Sequence, residues 1–279
     1  MASNVKIGTV WDHTTAVLAG RSAMIAPVAV LALVVPPAVQ SAITLFLPVT
    51  PFHAILGFVV SIASLLLSLW GALAIIAMAS DPATDRAAAQ RQATARLPAV
   101  IGVTIVLMLI AVALVLPIFV VLAATGFDFQ AAATAMATNA PALVPRPAAS
   151  ATLFTLLYSL VLLVFGFWVS ARLVLTNAVV LHERLGLGAI RRSVALTRGL
   201  TLKLIGVAIL FSIVLVIAAV AAQSVVGLVF RLILGASGIS VSLFLAGVAG
   251  AAVSAAMLSL AYVFIAQLYV ATREKPITE

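Results

Sequence analysis

PAVIGVTIVLMLIAVALVLPIFVVLAA, residues 98–124, decides the fold: it contains no charged side chain from end to end. As an α-helix it is about 40 Å long, more than the ~30 Å of hydrocarbon in a bilayer. A helix that is apolar on every side belongs in lipid or at the centre of a large core. Working outward, five further apolar runs lie at 22–47, 53–79, 152–181, 204–230 and 241–270, each long enough to cross a membrane. The composition agrees, with 65% hydrophobic and 8% charged residues, too little polar surface to coat a soluble globule of this length. The predicted fold is all-α: a polytopic membrane protein with six transmembrane helices arranged as three hairpins and joined by cytoplasmic interfacial amphipathic helices. A single integral membrane domain over 1–279 is expected.

Charge orients the chain. Of 15 Lys and Arg residues, Lys6, Arg21, Arg86, Arg91, Arg96, Arg172, Arg184, Arg191, Arg192, Arg198, Lys203, Arg273 and Lys275 fall on one side of the six-span layout. Only Arg146 and Arg231 fall on the other. Basic residues accumulate in cytoplasmic loops, so both termini are expected inside, in a multi-pass protein of the inner (plasma) membrane. The net charge of +8 then reflects attraction to anionic headgroups and not a nucleic-acid partner. The run into Val39, Gln40, Ser41 and Ala42 has the outline of a signal-peptide cleavage site. The apolar stretch continues to Leu47, and a retained first span is expected.

Three units of similar layout can be drawn at 1–80, 81–183 and 184–279, each a basic leading segment followed by a two-span hairpin. The leading segments are 5–21, 82–97 and 185–203. In the first, Ile7, Val10, Trp11, Val17 and Leu18 share one side of a helical wheel, which predicts a surface helix with Trp11 at headgroup depth. The second has an Asp cap and Pro82 near its start. In the third, Arg184, Arg191, Arg192 and Arg198 cluster on an arc opposite Leu187, Ile190, Val194, Leu196 and Leu200, the pattern of an interfacial helix. The same layout would arise in any multi-span protein that needs short basic segments between hairpins. The loop 126–150 is expected to be a small irregular or partly helical excursion on the other side.

Little inside the spans has chemical character. With no cysteine, disulfides, thiolate-bound metals and thiol nucleophiles are excluded. No Asp or Glu falls within a span, which argues against a carboxylate proton relay. His182 beside Glu183 does not make a metal site, because adjacent helical positions point about 100° apart. No cofactor or metal is expected, and no catalytic constellation can be assembled. Arg172, inside the fourth run, is either a ligand for a lipid phosphate or small anion, or a structural group that snorkels or pairs with Asp81, Asp85 or Glu183. Thr176 and Asn177 extend a polar patch one turn later, and Glu183 is expected to pair with Arg172 or an arginine of the next helix, or to cap that helix. Gln40, Gln223 and Gln267 are candidates for interhelical hydrogen bonds. Pro27, Pro36, Pro37 and Pro117 should kink the first and third spans. Gly247, Ala251 and Ala255, with Gly250 and Ser254, allow close helix approach, inside the chain or between copies.

Residues 172–206 taken together, RLVLTNAVVLHERLGLGAIRRSVALTRGLTLKLIG, resemble the membrane domain associated with glycerophosphoryl diester phosphodiesterases. The likeness rests on Arg172, Glu183 and the run Ala189, Arg192, Ser193, Leu196, Thr197 and Gly199 leading into a span. It implies a six-span membrane domain standing without the soluble catalytic barrel, so the enzymatic activity does not transfer.

The expected function is that of a non-enzymatic membrane protein organising lipids or partner proteins in membrane or envelope homeostasis. Arg184, Arg191, Arg192 and Arg198 would contact anionic headgroups while Leu187, Ile190 and Val194 insert. A membrane-protein partner or a second copy fits the same picture. The alternative is a permease or channel for a lipid, peptide or small anion, with Arg172, Thr176 and Asn177 lining a cavity. A lipid-headgroup enzyme using His182 and Glu183 is the weaker third.

Overall fold

The computed structural model describes residues 6–48, 50–137 and 144–273. The chain is 88% helical, with no strand among the described residues. α1 (Ile7–Ala29) passes through a π-helical turn (Val30–Val34) into α2 (Val35–Phe46), and α3 (Pro51–Ser80) follows. α4 (Arg86–Ala124), the short α5 (Phe129–Ala137) and α6 (Ala149–Leu173) come next, then α7 (Thr176–Glu183) and α8 (Gly188–Leu196). α9 (Thr201–Leu234) and α10 (Ile239–Thr272) close the chain. Six of the resulting helices, Ile7–Phe46, Phe52–Ser80, Arg86–Ala124, Ala149–Glu183, Thr201–Leu234 and Ala236–Thr272, are long and apolar enough to span a membrane.

Helix ends differ from the sequence expectation in instructive ways. The leading segments 5–21 and 82–97 are not separate surface helices: α1 runs on past Arg21, and α4 runs on through Pro98 and Pro117. Gly20 and Pro98 stand at those boundaries without stopping the helices, since glycine and proline are tolerated inside membrane helices. On α1 the packed positions are Val10 and Thr14, at 3% and 0% exposure, while Trp11 faces outward. Pro82 lies in the turn before α4; the helix begins after Asp85, whose Oδ1 accepts the Ala88 N–H at 2.6 Å, an N-cap bond. The third segment does break away, because Arg184 (φ 59°) and Gly199 (φ 80°) adopt left-handed conformations on either side of α8. The π turn has a local cause. Pro36 and Pro37 offer no N–H to the preceding turn, and the Val35 N–H reaches back to the Val30 carbonyl in a widened register.

By contact the chain forms two compact units, one made of Met1–Val103 with Ala171–Glu279 and the other of Thr104–Ser170. In the first, α10 is the hub: it packs on α1, α2, α3, α7 and α9. The C-terminal part of α3 is enclosed on all sides, with every residue from Ala72 to Ala79 at 4% exposure or less. Lipid tails are as apolar as leucine, so packing here must come from close contact and polar bonds. A Cβ at Gly71 would collide with the Ala32 Cβ on the π turn. Likewise a Cβ at Gly227 would stand 3.2 Å from Ala246, and one at Gly250 would strike Gln223. Of the small-residue stripe, Gly250 and Ala255 are buried within the chain, and Gly247, Ala251 and Ser254 are half-buried.

The second unit consists of the outer part of α4, α5 and most of α6. In neither of its spans is any residue of the most apolar window buried (0% in each). Tyr158 donates its hydroxyl to the Leu114 carbonyl at 2.8 Å. Asp128 caps α5 through the Ala131 N–H at 2.9 Å, so of the two forms expected for the excursion the helical one is found over Phe129–Ala137.

Candidate functional site

A cluster of charged and polar groups of the first unit gathers where α3 ends and α7 and α8 turn. A helix C-terminus leaves carbonyls without donors. At the end of α3 other helices supply them. Arg21 of α1 directs its guanidinium onto the Met78 and Pro82 carbonyls, and onto those of Asp81 at 3.0 Å and Thr84 at 3.3 Å. Gln267 of α10 donates to the Ala79 carbonyl at 2.7 Å. Inside the turn, Asp81 accepts the Ala83 N–H at 2.9 Å and the Thr84 hydroxyl at 3.1 Å. Those two bonds, the backbone one first, hold the Asp81 carboxyl below its ordinary value, and the Arg21 charge adds to the effect.

α8 is fastened to the end of α6 in both directions. The Arg172 carbonyl accepts the Ser193 hydroxyl at 2.8 Å and the Thr197 hydroxyl at 3.3 Å, while the Arg172 guanidinium donates to the Val194 carbonyl at 3.3 Å. Ser193 and Thr197 are fully buried. Glu183, at the end of α7, accepts Arg192 Nε at 3.1 and 3.0 Å on its two oxygens, and the Tyr269 hydroxyl at 3.2 Å. The ion pair is largely enclosed, with side-chain exposures of 17% for Arg192 and 23% for Glu183. The His182 ring stacks on Tyr269, centroids 5.2 Å apart and planes 10° from parallel.

The structure therefore divides the predicted residues. Arg172, Glu183 and Arg192 come together as a lock between α6, α7, α8 and α10. Of the carboxylates offered to Arg172 by the sequence, Glu183 is taken by Arg192, Asp81 by its own turn and Asp85 by the α4 cap. Thr176 is buried at the start of α7 with its hydroxyl oxygen unbonded, and Asn177 beside it is half-buried. Arg184, Arg191 and Arg198 are exposed. The helical wheel drawn through all four arginines does not apply, because Arg184 precedes α8 and Arg198 follows it. Arg184 caps α7 with a left-handed backbone (φ 59°) that costs a non-glycine residue about 1–2 kcal/mol. Lys275 lies outside the described residues.

Sequence reasoning missed Arg21 and Tyr269 as parts of this network. Their partners are backbone carbonyls and a distant glutamate, which leave no spacing to read. The one available signal was the need of any buried helix end for donors.

These features define the class: a multi-pass α-helical membrane protein whose polar lock lies at one end of its tightly packed unit. No family model, curated protein or solved structure matches the chain.

Proposed function

We propose that this is a non-enzymatic protein of the inner membrane, with both termini cytoplasmic, that organises anionic lipid and through it partner proteins at its basic end. The observation carrying this reading is a split among neighbouring arginines. Arg192 is consumed by Glu183, whereas Arg184, Arg191 and Arg198 are exposed around a short helix that Arg172, Ser193 and Thr197 hold in place. Leu185 and Leu187 beside them are 40% and 56% exposed and supply the inserting groups. Ile190 and Val194, assigned that role from sequence, are half-buried, with the Val194 carbonyl engaged by Arg172. Each surface arginine contributes about 1 kcal/mol toward an anionic leaflet.

A permease would need a cavity around Arg172, Thr176 and Asn177. Leu175, Ala178, Val179 and Val180 about those positions are at 0–1% exposure, which favours the platform. The test is lipid retention by the purified chain in nanodiscs of equal phosphatidylglycerol and phosphatidylcholine, read by native mass spectrometry. Replacing Arg184, Arg191 and Arg198 together by Gln should reduce phosphatidylglycerol enrichment by at least tenfold, at roughly fivefold per residue. Unchanged selectivity in the triple variant would refute the reading.

A further inference from the structure

A cavity of about 400 Å³ opens between the π turn, α2 and α3, closed on one side by Leu258 of α10. It shares no residue with the basic end. Ser61, Ser64 and Ser68 line it from α3, and their spacing of three and four places all three on one helix face. Each gives its proton to its own helix, to the Gly57 carbonyl at 2.8 Å, the Val60 carbonyl at 2.6 Å and the Leu65 carbonyl at 2.8 Å. Their oxygens therefore meet the cavity as acceptors.

Across from them, Gln40 of α2 lines the same space with its side-chain oxygen buried and without a hydrogen-bond partner. A buried polar atom left unbonded is costly and calls for an explanation. Pro36 and Pro37 also line the cavity and deprive carbonyls one turn back of their helical donors. π segments inside α-helices recur at functional sites, and this one forms the wall.

No Lys, Arg, Asp or Glu lines the cavity, so a charged headgroup would enter without a counter-charge. Its volume falls in the range of small-molecule sites. We propose that the cavity binds the hydroxyl group of an uncharged long-chain amphiphile, a fatty alcohol or a monoacylglycerol. The hydroxyl donates its one proton to the Gln40 oxygen, while the chain lies along the apolar walls.

The test uses the full chain in phosphatidylcholine nanodiscs and three photoreactive probes: a diazirine-bearing hexadecanol, its methyl ether and its phosphate monoester. Saturable labelling by the alcohol is expected within 32–40 and 61–68, about threefold above the ether, the effect of one membrane hydrogen bond. The phosphate should label those peptides no better than the ether. Unlabelled hexadecanol or monoacylglycerol, whichever competes at lower concentration, identifies the source of the hydroxyl. Gln40→Leu should lower alcohol labelling about threefold and leave ether labelling unchanged. Equal labelling by alcohol and ether in the wild-type chain, which requires no variant, would overturn the proposal. So would labelling spread evenly over the spans.

Discussion

The enclosed end of α3 and the spans of Thr104–Ser170 are comparably apolar in sequence, yet they are held in opposite ways. Around α3, side chains from α1 and α10 close the helix end, and glycine contacts bring backbones together. In Thr104–Ser170, Leu109, Leu156 and Val164 are each more than 60% exposed, and one tyrosine hydroxyl joins the two long helices. Hydrophobicity places both regions in lipid, but it gives neither a reason to pack. In a bilayer that reason is supplied by small residues and satisfied polar groups.

The comparison breaks first at glycine. Gly71→Ala should destabilise the protein by about 1–3 kcal/mol through overpacking against Ala32. Gly166→Ala, with nothing within 4 Å of the added carbon, should stabilise by up to about 1 kcal/mol through helix propensity. Opposite signs in detergent thermal melts are the expected result, and equal shifts would erase the distinction.

Next comes Arg21. Arg21→Gln removes a charged donor from four carbonyls and should cost about 1.5–3 kcal/mol. Arg21→Lys should recover part of this, since it keeps the charge and loses the fork. Arg146→Gln, in the loop preceding α6, should leave the midpoint of a chemical unfolding curve where it was.

A double-mutant cycle on Glu183→Gln and Arg192→Gln should give a coupling of about 1–2 kcal/mol, above that of a surface pair because the two groups are largely enclosed. Tyr158→Phe in the other region should cost about 0.6 kcal/mol, the average for hydrogen bonds within membranes.

The smallest effect belongs to pH. Asp81 has its carboxyl pKa lowered from 3.8 in the folded chain. Its contribution is therefore complete above that ordinary value and fades as pH falls through the folded one. Thermal midpoints of wild type should decline over that acid window more steeply than those of Asp81→Asn, and parallel curves would remove Asp81 from the account.

What the sequence revealed follows the same division. The six spans were legible because a charge-free run of membrane length has few other uses. Glu183 paired with an arginine of the next helix as one of the expected options, since the two are close in sequence. The continuity of α1 past Arg21 and of α4 past Pro98 was not legible, because the choice depends on tertiary contacts such as buried Thr14 and Ala93. Arg21, counted at first only as an orienting charge, binds backbone oxygen, and every residue carries one. Pro36-Pro37 announced a disturbed helix but not that its widened turn would press against Gly71.

The two clamps on the end of α3 also become available at different moments in the life of the chain. Arg21 precedes its acceptors by 57–63 positions, so that fastening can form as soon as the turn after α3 has been made. Gln267 follows Ala79 by 188 positions and can arrive only once α10 has been made. A nascent chain halted before α10 would therefore carry a half-secured second span, and α10 is the late latch upon it.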